Sequence, residues 1–132
     1  MVPEFRPNDD ERECLALFPG EMVYRLDRIR AEGELLLLEN IRLPAALFPS
    51  LPNPVPNIHN LTDTYGLRVG EAREQVCAVA ASASIAKALG VPEYTLLLMS
   101  ERVVYLHDGR PAELRITYRL DQENLRRLLA RF

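Results

Sequence analysis

The amino-acid sequence predicts an α+β domain, in which helices pack on an antiparallel β-sheet. Segments that alternate between apolar and polar residues come in pairs joined by short turns, which is typical of β-hairpins. Shorter segments with helical spacing and polar N-cap residues separate these pairs. The chain has 132 residues, 48% of them hydrophobic, which is enough for one domain with its own core. We therefore predict a single domain over residues 1–132.

The predicted elements follow the order β-α-β-β-α-β-α-β-β-α. Asp9 or Asp10, Asn57 and Ser82 are the residues expected to cap the first three helices, because their side chains can accept a hydrogen bond from the first turn. Five of the ten prolines lie within residues 44–56, which predicts irregular chain there. The strands are predicted over residues 4–6, 22–30, 35–43, 67–80, 100–106 and 112–118, and the helices over residues 11–18, 58–65, 83–89 and 121–132.

Composition excludes several classes of function. The net charge of −3 gives no pull toward nucleic acid or an anionic membrane, and no apolar run is long enough to span a bilayer. The N-terminus lacks a signal peptide, so a soluble, cytoplasmic protein is expected. The two cysteines are expected to be small buried residues. Neither they nor the two histidines lie close together in the sequence, so neither a disulfide nor a metal site is predicted. No motif indicates a catalytic group or a cofactor.

Two arginines on the first hairpin are the most informative charged residues. Arg28 and Arg30 are two positions apart on a predicted strand and therefore share one face. Tyr24 and Leu26 lie on the same face, which suggests that the guanidiniums turn toward a core and need anions there. The alternative is a surface ion-pair network with Asp27 and Glu39, and the residue pattern alone favours this alternative.

Four segments of the chain carry a further signal, in the order YRLDRIRAEGELLLLENIRLPAALFP, NLTDTYGL, ASIAKALGVPEYTLLLMSERVVY and DGRPAELRITY. In this order they resemble the UTRA domain, the effector-binding half of HutC-type regulators in the GntR family. The resemblance implies a fold like that of chorismate lyase, an antiparallel sheet with helices. It covers nearly the whole chain.

The resemblance also implies a ligand site and partners. Arg28 and Arg30 match the pair that grips an anionic group of the effector, and Glu39 and Glu113 match carboxylates that contact its hydroxyl or amine groups. Both carboxylates are expected near the arginines. The effector would be a small anionic metabolite such as a sugar phosphate, an amino sugar or a carboxylate, and the domain would form a homodimer. The remaining predicted site residues are Tyr118, which matches a tyrosine of the last strand, and Asn57, the polar residue nearest to a serine position that Pro56 occupies.

The sequence departs from the family pattern at several positions. Tyr94 stands where glycine is common and Leu96 where proline is common, and the C-terminal stretch reads as a helix rather than a strand. The loss of the serine leaves carboxylate as well as phosphate open as the anion. No helix-turn-helix pattern is present in the chain, so DNA is expected to be bound only through a winged helix-turn-helix domain outside it.

Two other functions remain open at this point. The first is an enzyme of the chorismate lyase type, in which Arg28, Arg30 and Glu113 would act on a small carboxylated substrate. The second is a dimerisation module with a vestigial pocket. Release of 4-hydroxybenzoate from chorismate would indicate the enzyme, and a flat thermal-shift screen across many metabolites would indicate the module.

Overall fold

The computed structural model describes residues 2–33 and 35–130, and its elements follow the predicted order. For most of the elements, the first or the last residue differs from the predicted one by a few positions. A short 3₁₀ turn (Ala45–Leu47) is added within the proline-rich segment. The strands are β1 (Glu4–Phe5), β2 (Val23–Glu32), β3 (Leu35–Pro44), β4 (Val69–Ala80), β5 (Leu96–Leu106) and β6 (Pro111–Arg119), and the helices are α1 (Asp9–Cys14), α2 (Ile58–Thr64), α3 (Ala83–Leu89) and α4 (Gln122–Leu129).

The six strands form one sheet in the order β1-β2-β3-β6-β5-β4. Each predicted hairpin supplies two neighbouring strands, and the pairing of β3 with β6 joins the two hairpins. β1 pairs antiparallel with β2, with Glu4 opposite Tyr24 and Phe5 opposite Val23. The prediction of an α+β domain built on an antiparallel sheet is confirmed.

The chain divides into two compact units, each with its own core. Unit 1 comprises Met1–Leu26, Ile41–Arg73 and Arg102–Arg115, and unit 2 comprises Asp27–Asn40, Glu74–Glu101 and Ile116–Phe132. The core of unit 1 contains Phe48, which packs edge-on against Tyr65 and accepts a hydrogen bond from the Tyr24 hydroxyl at its carbonyl oxygen (2.8 Å). The core of unit 2 contains Ala81, Ala86, Leu89 and Leu97.

Helix α1 is shorter than predicted and begins at a different cap. Asn8 is the N-cap instead of Asp9 or Asp10, because it forms a reciprocal capping box with Glu11: each side chain accepts a hydrogen bond from the other residue's backbone N–H, at 2.8 Å. The helix ends at Cys14 instead of residue 18. The chain turns away at Ala16, which has φ 50°, and the N–H of Leu17 donates back to the carbonyl of Arg12.

The other predicted caps are confirmed, and one expectation about the cysteines is wrong. Asn57 caps α2 and Ser82 caps α3, each accepting a hydrogen bond from a backbone N–H three residues on. Cys14 is half-buried, but Cys77 is exposed, because it lies on the outermost strand β4. The last two residues of the predicted C-terminal helix lie outside the described residues, and no described helix is long and apolar enough to cross a membrane.

Tyr94 adopts a backbone conformation that suits glycine. Its φ is 69°, and its side chain is 75% exposed, so little packing offsets the strain of a Cβ in the left-handed region. We expect Tyr94→Gly to raise the free energy of unfolding by up to about 1 kcal/mol, the relief of strain being partly offset by the greater chain entropy of glycine. Urea unfolding measures the change. Tyr94→Ala is the matched control, because it keeps the Cβ and should give none of the gain; an equal gain in both variants would contradict the strain argument.

Candidate functional site

Glu39 is a carboxylate buried in the middle of strand β3. Leu37 and Ile41, two positions to either side, are buried as well, so Glu39 lies on the buried face of the strand. Its side chain is 2% exposed. A charged carboxylate at such a position requires cationic partners, because burial without them is very costly.

Arg28 and Arg30, from the neighbouring strand β2, supply those partners. The Nε of Arg30 lies 3.0 Å from Oε1 of Glu39, and the Nε of Arg28 lies 3.4 Å from the same oxygen. The side chain of Arg30 is 52% exposed and that of Arg28 is 45% exposed. The structure therefore brings together three of the six predicted site residues, all within unit 2.

The expectation that the two arginines face a core is wrong. On β2, Tyr24 is buried and Leu26 is half-buried, but every residue from Asp27 to Glu32 is exposed. The buried member of the cluster is the carboxylate. Two guanidiniums that are paired on one side and open to solvent on the other can receive a further anion, and arginine is well suited to bidentate contact with carboxylate or phosphate.

Glu113, on strand β6, is a second buried carboxylate among the predicted site residues. It is 3% exposed, and its Oε1 lies 3.2 Å from the Nε of Arg115. Arg115 is not among the predicted site residues. It lies two positions after Glu113 on the same polar face of the strand, and this spacing is the sequence signal that could have indicated the pair. Pairing of Glu113 with Arg28 and Arg30 stays a prediction.

Asn57 has a structural role at the start of α2. Its Oδ1 accepts a hydrogen bond from the backbone N–H of Asn60 at 2.9 Å. This bond uses one of the two lone pairs of the side-chain oxygen, so both that oxygen and the amide nitrogen retain the capacity to contact a ligand.

Tyr118, near the end of β6, packs against the apolar core of unit 2. Burial raises the pKa of its hydroxyl, and the nearby Cys77 and Glu101 raise the pKa further. The hydroxyl is thus a neutral hydrogen-bonding group at neutral pH. Neither Cys77 nor Glu101 was predicted as a neighbour, because both lie on other strands.

Glu11 on α1 is a third buried carboxylate, and its contacts are structural. Arg25 of β2 approaches it with two nitrogens, at 2.7 and 3.0 Å, and the Nε of Arg42 of β3 lies at 2.9 Å. Burial raises the pKa of Glu11, but the hydrogen bonds from Arg25 and the Asn8 backbone, together with the two positive charges, outweigh this and leave the pKa below its ordinary value. This cluster fixes α1 to the sheet within unit 1.

Unit 1 also contains an apolar cavity of about 590 Å³. Leu15, Phe18, Leu47 and Pro111 contribute to its wall, and none of the six predicted site residues does. No three histidine, cysteine or acidic side chains within residues 2–33 and 35–130 are grouped so as to hold a metal ion.

Comparisons with known proteins agree on one family and one fold. The family model described as the UTRA domain matches residues 2–122. The chain is similar to the ligand-binding domain of a proposed GntR-family transcriptional regulator from Bordetella bronchiseptica (27% identity, TM-score 0.80, covering 89% of this chain and 79% of that one). It is also similar to a GntR-family transcriptional regulator from Enterococcus faecalis V583 (27% identity, TM-score 0.77, covering 89% of this chain and 88% of that one).

The similarity extends to a longer protein, YydK from Bacillus subtilis, at 18% identity and a TM-score of 0.81. It covers 93% of this chain and 55% of YydK, so the chain spans about half of the length of that protein. No curated protein matches the chain significantly.

Proposed function

Since this chain belongs to the UTRA family and is a ligand-sensing regulatory domain, we propose that it senses a small anionic metabolite held by Arg28 and Arg30. The resemblance identified from the sequence is thereby confirmed, and the enzyme of the chorismate lyase type is not favoured. The effector class and its contacts are our proposal. Sugar phosphates, amino sugars and carboxylates are the candidate classes.

The observation that carries the proposal is the buried Glu39 with two half-exposed arginines beside it. The arginines can bind the anionic group of a ligand, since charge-assisted hydrogen bonds to guanidinium are among the strongest available. Glu39 can then accept a hydrogen bond from a hydroxyl or ammonium group of the same ligand. A metabolite with an anionic group and a nearby hydrogen-bond donor can contact Arg28, Arg30 and Glu39, whereas a simple anion can contact only the two arginines.

We further propose that the domain acts in the cytoplasm as a homodimer within a longer regulator. DNA would be bound through a winged helix-turn-helix domain outside these residues, and two copies would match two half-sites of an operator. The support is the family and the coverage of about half of YydK.

A thermal-shift screen tests the effector proposal. Amino-sugar phosphates, sugar acids, phosphonates and histidine catabolites are the probes, each with the native chain and with a double variant, Arg28→Ala and Arg30→Ala. We expect at least one class to raise the melting temperature of the native chain and to have no effect on the double variant. A hit that stabilises both proteins equally would place the site elsewhere, and release of 4-hydroxybenzoate from chorismate would restore the enzyme alternative.

Glu113→Gln tests the predicted selectivity role of Glu113. If this carboxylate contacts the effector, an analogue that lacks the matching hydroxyl or ammonium group fails to make that hydrogen bond to a buried acceptor. We expect the variant to discriminate between effector and analogue about tenfold less than the native chain, as measured by calorimetry. Unchanged discrimination with a lowered melting temperature would instead mean that Glu113 serves only its pair with Arg115.

A further inference from the structure

Strand β4 is the outermost strand of the sheet and is exposed along most of its length. It has 12 residues and pairs with β5 on one side. All residues from Gly70 to Cys77 are exposed, on both faces of the strand. An edge strand presents a row of backbone N–H and C=O groups, which makes it a template for pairing with another strand.

The sequence of β4 has few of the features that usually prevent such pairing, although three of its residues, Glu71, Arg73 and Glu74, are charged. Native edges are blunted by proline, lysine or a short length, and β4 has no proline or lysine in its 12 residues. The exposed part of β2, near the opposite edge of the sheet, has a higher proportion of charged residues. Four of its six residues from Asp27 to Glu32 are charged, and an antiparallel copy centred on Ile29 would place Arg28 opposite a second Arg30.

The charges of β4 complement those of a second, antiparallel β4. Glu71 and Arg73 lie on one face and are paired at 3.0 Å within the chain. The guanidinium of Arg73 stacks over the Tyr105 ring of β5, 5.2 Å from its centroid, which holds it at the edge. In an antiparallel pair centred on Ala72, Glu71 faces the partner's Arg73 and Arg73 faces the partner's Glu71. Centring on Arg73 or on Glu74 instead would oppose like charges.

We propose that β4 is a self-association surface, at which two copies of this chain pair antiparallel about a two-fold axis at Ala72. The sheets of both copies then continue through the pair, and four alternating charges form a cluster on one face. A two-fold axis perpendicular to the sheet keeps equivalent side chains on the same face, as this arrangement requires. The proposal gives the homodimer proposed above a specific surface and is independent of the effector site at Arg28 and Arg30.

Disulfide trapping tests the register. Two residues opposite each other in an antiparallel pair have Cα atoms about 5 Å apart, within the range of a disulfide, so Ala72→Cys should link to its copy on mild oxidation in a Cys77→Ser background. Gln75→Cys is the matched control. It is also exposed, but two copies would be separated by six positions, about 20 Å. Linkage through Gln75→Cys, or no linkage through Ala72→Cys, would overturn the register.

Charge reversal tests the same surface without cysteine. Arg73→Glu places like charges opposite each other twice in one dimer, and we expect its dissociation constant in analytical ultracentrifugation to rise about tenfold or more. The double variant Glu71→Arg with Arg73→Glu should restore the native value. A native chain that sediments strictly as a 15.0 kDa monomer would overturn both the dimer and its surface. A dimer unaffected by Arg73→Glu would overturn the surface alone, and effector-induced thermal shifts remain a separate measurement.

Discussion

Replacing Glu11 by glutamine is expected to lower the free energy of unfolding by roughly 2–4 kcal/mol at neutral pH. The side chain of Glu11 is 3% exposed, and it neutralises Arg25 and Arg42 together. Glutamine keeps the size and part of the hydrogen bonding but removes the charge, so two guanidiniums are left close together without their shared anion. The figure lies below that for a wholly buried pair, because the side chain of Arg25 is 30% exposed.

The loss should depend on pH in a defined direction. The pKa of Glu11 is lowered in the folded protein, so the ionised form stabilises the fold above the pKa of a glutamate in the unfolded chain, about 4.3. As the pH falls from about 5 through the lowered pKa, the folded protein must take up this proton, and the advantage of Glu11 over glutamine disappears. The free energies of unfolding of the native chain and of Glu11→Gln, measured by urea unfolding between pH 7 and pH 3, should therefore converge as the pH falls.

Asp9→Asn is the control for this experiment. Asp9 lies in the same helix and pairs with Arg12 at 3.0 Å, but its side chain is fully exposed. The same loss of one negative charge should then have no measurable effect on stability. If both variants lost equal stability, the effect would come from the charge of the helix N-terminus and not from the buried cluster.

The second large effect is expected at Arg30. Its alanine variant should bind the effector about ten- to a hundredfold more weakly, because a hydrogen bond to a charged group contributes roughly 1.5–3 kcal/mol. Arg30→Lys keeps the charge but loses the planar fork, and an intermediate affinity would indicate bidentate contact. Isothermal titration calorimetry with the ligand found in the thermal-shift screen measures both.

An outcome confined to stability would contradict the binding role of Arg30. If its only function were to neutralise Glu39, Arg30→Ala would lower the melting temperature and leave the affinity unchanged. Arg127→Ala is the matched control, since Arg127 is an exposed arginine paired with Glu123 at 2.9 Å on α4. It should change neither quantity.

Local signals in the sequence predicted most of the fold. Asn57 and Ser82 were recognised as caps because a cap depends on a few neighbouring residues. The end of α1 was not, because the turn at Ala16 places an ordinary residue in the left-handed region without any glycine to indicate it. Only the family resemblance indicates that Tyr94 occupies a glycine position, and its φ of 69° explains why glycine is common there.

Candidate site residues could be chosen from the sequence, but the burial of each residue could not be predicted from it. Glu39 and Glu113 were both selected from the sequence and are both buried, yet the alternation of β2 continued to indicate a buried face beyond Leu26, where the core ends. Period-two alternation reports which residues share a face and not where another element stops covering it. Glu11 could not be predicted as buried, since its partners Arg25 and Arg42 come from strands 14 and 31 positions away in sequence.

The use of two arginines beside Glu39 has a consequence for how the sensor would respond to acidity. A guanidinium keeps its charge throughout the range in which cells operate, whereas a histidine in the same place would gain and lose its proton. Dependence of effector affinity on pH between 6 and 8 would therefore report the ionisation of the metabolite. A phosphate monoester, whose second ionisation falls near pH 6, should bind more tightly as the pH rises, and a carboxylate should bind equally across the range.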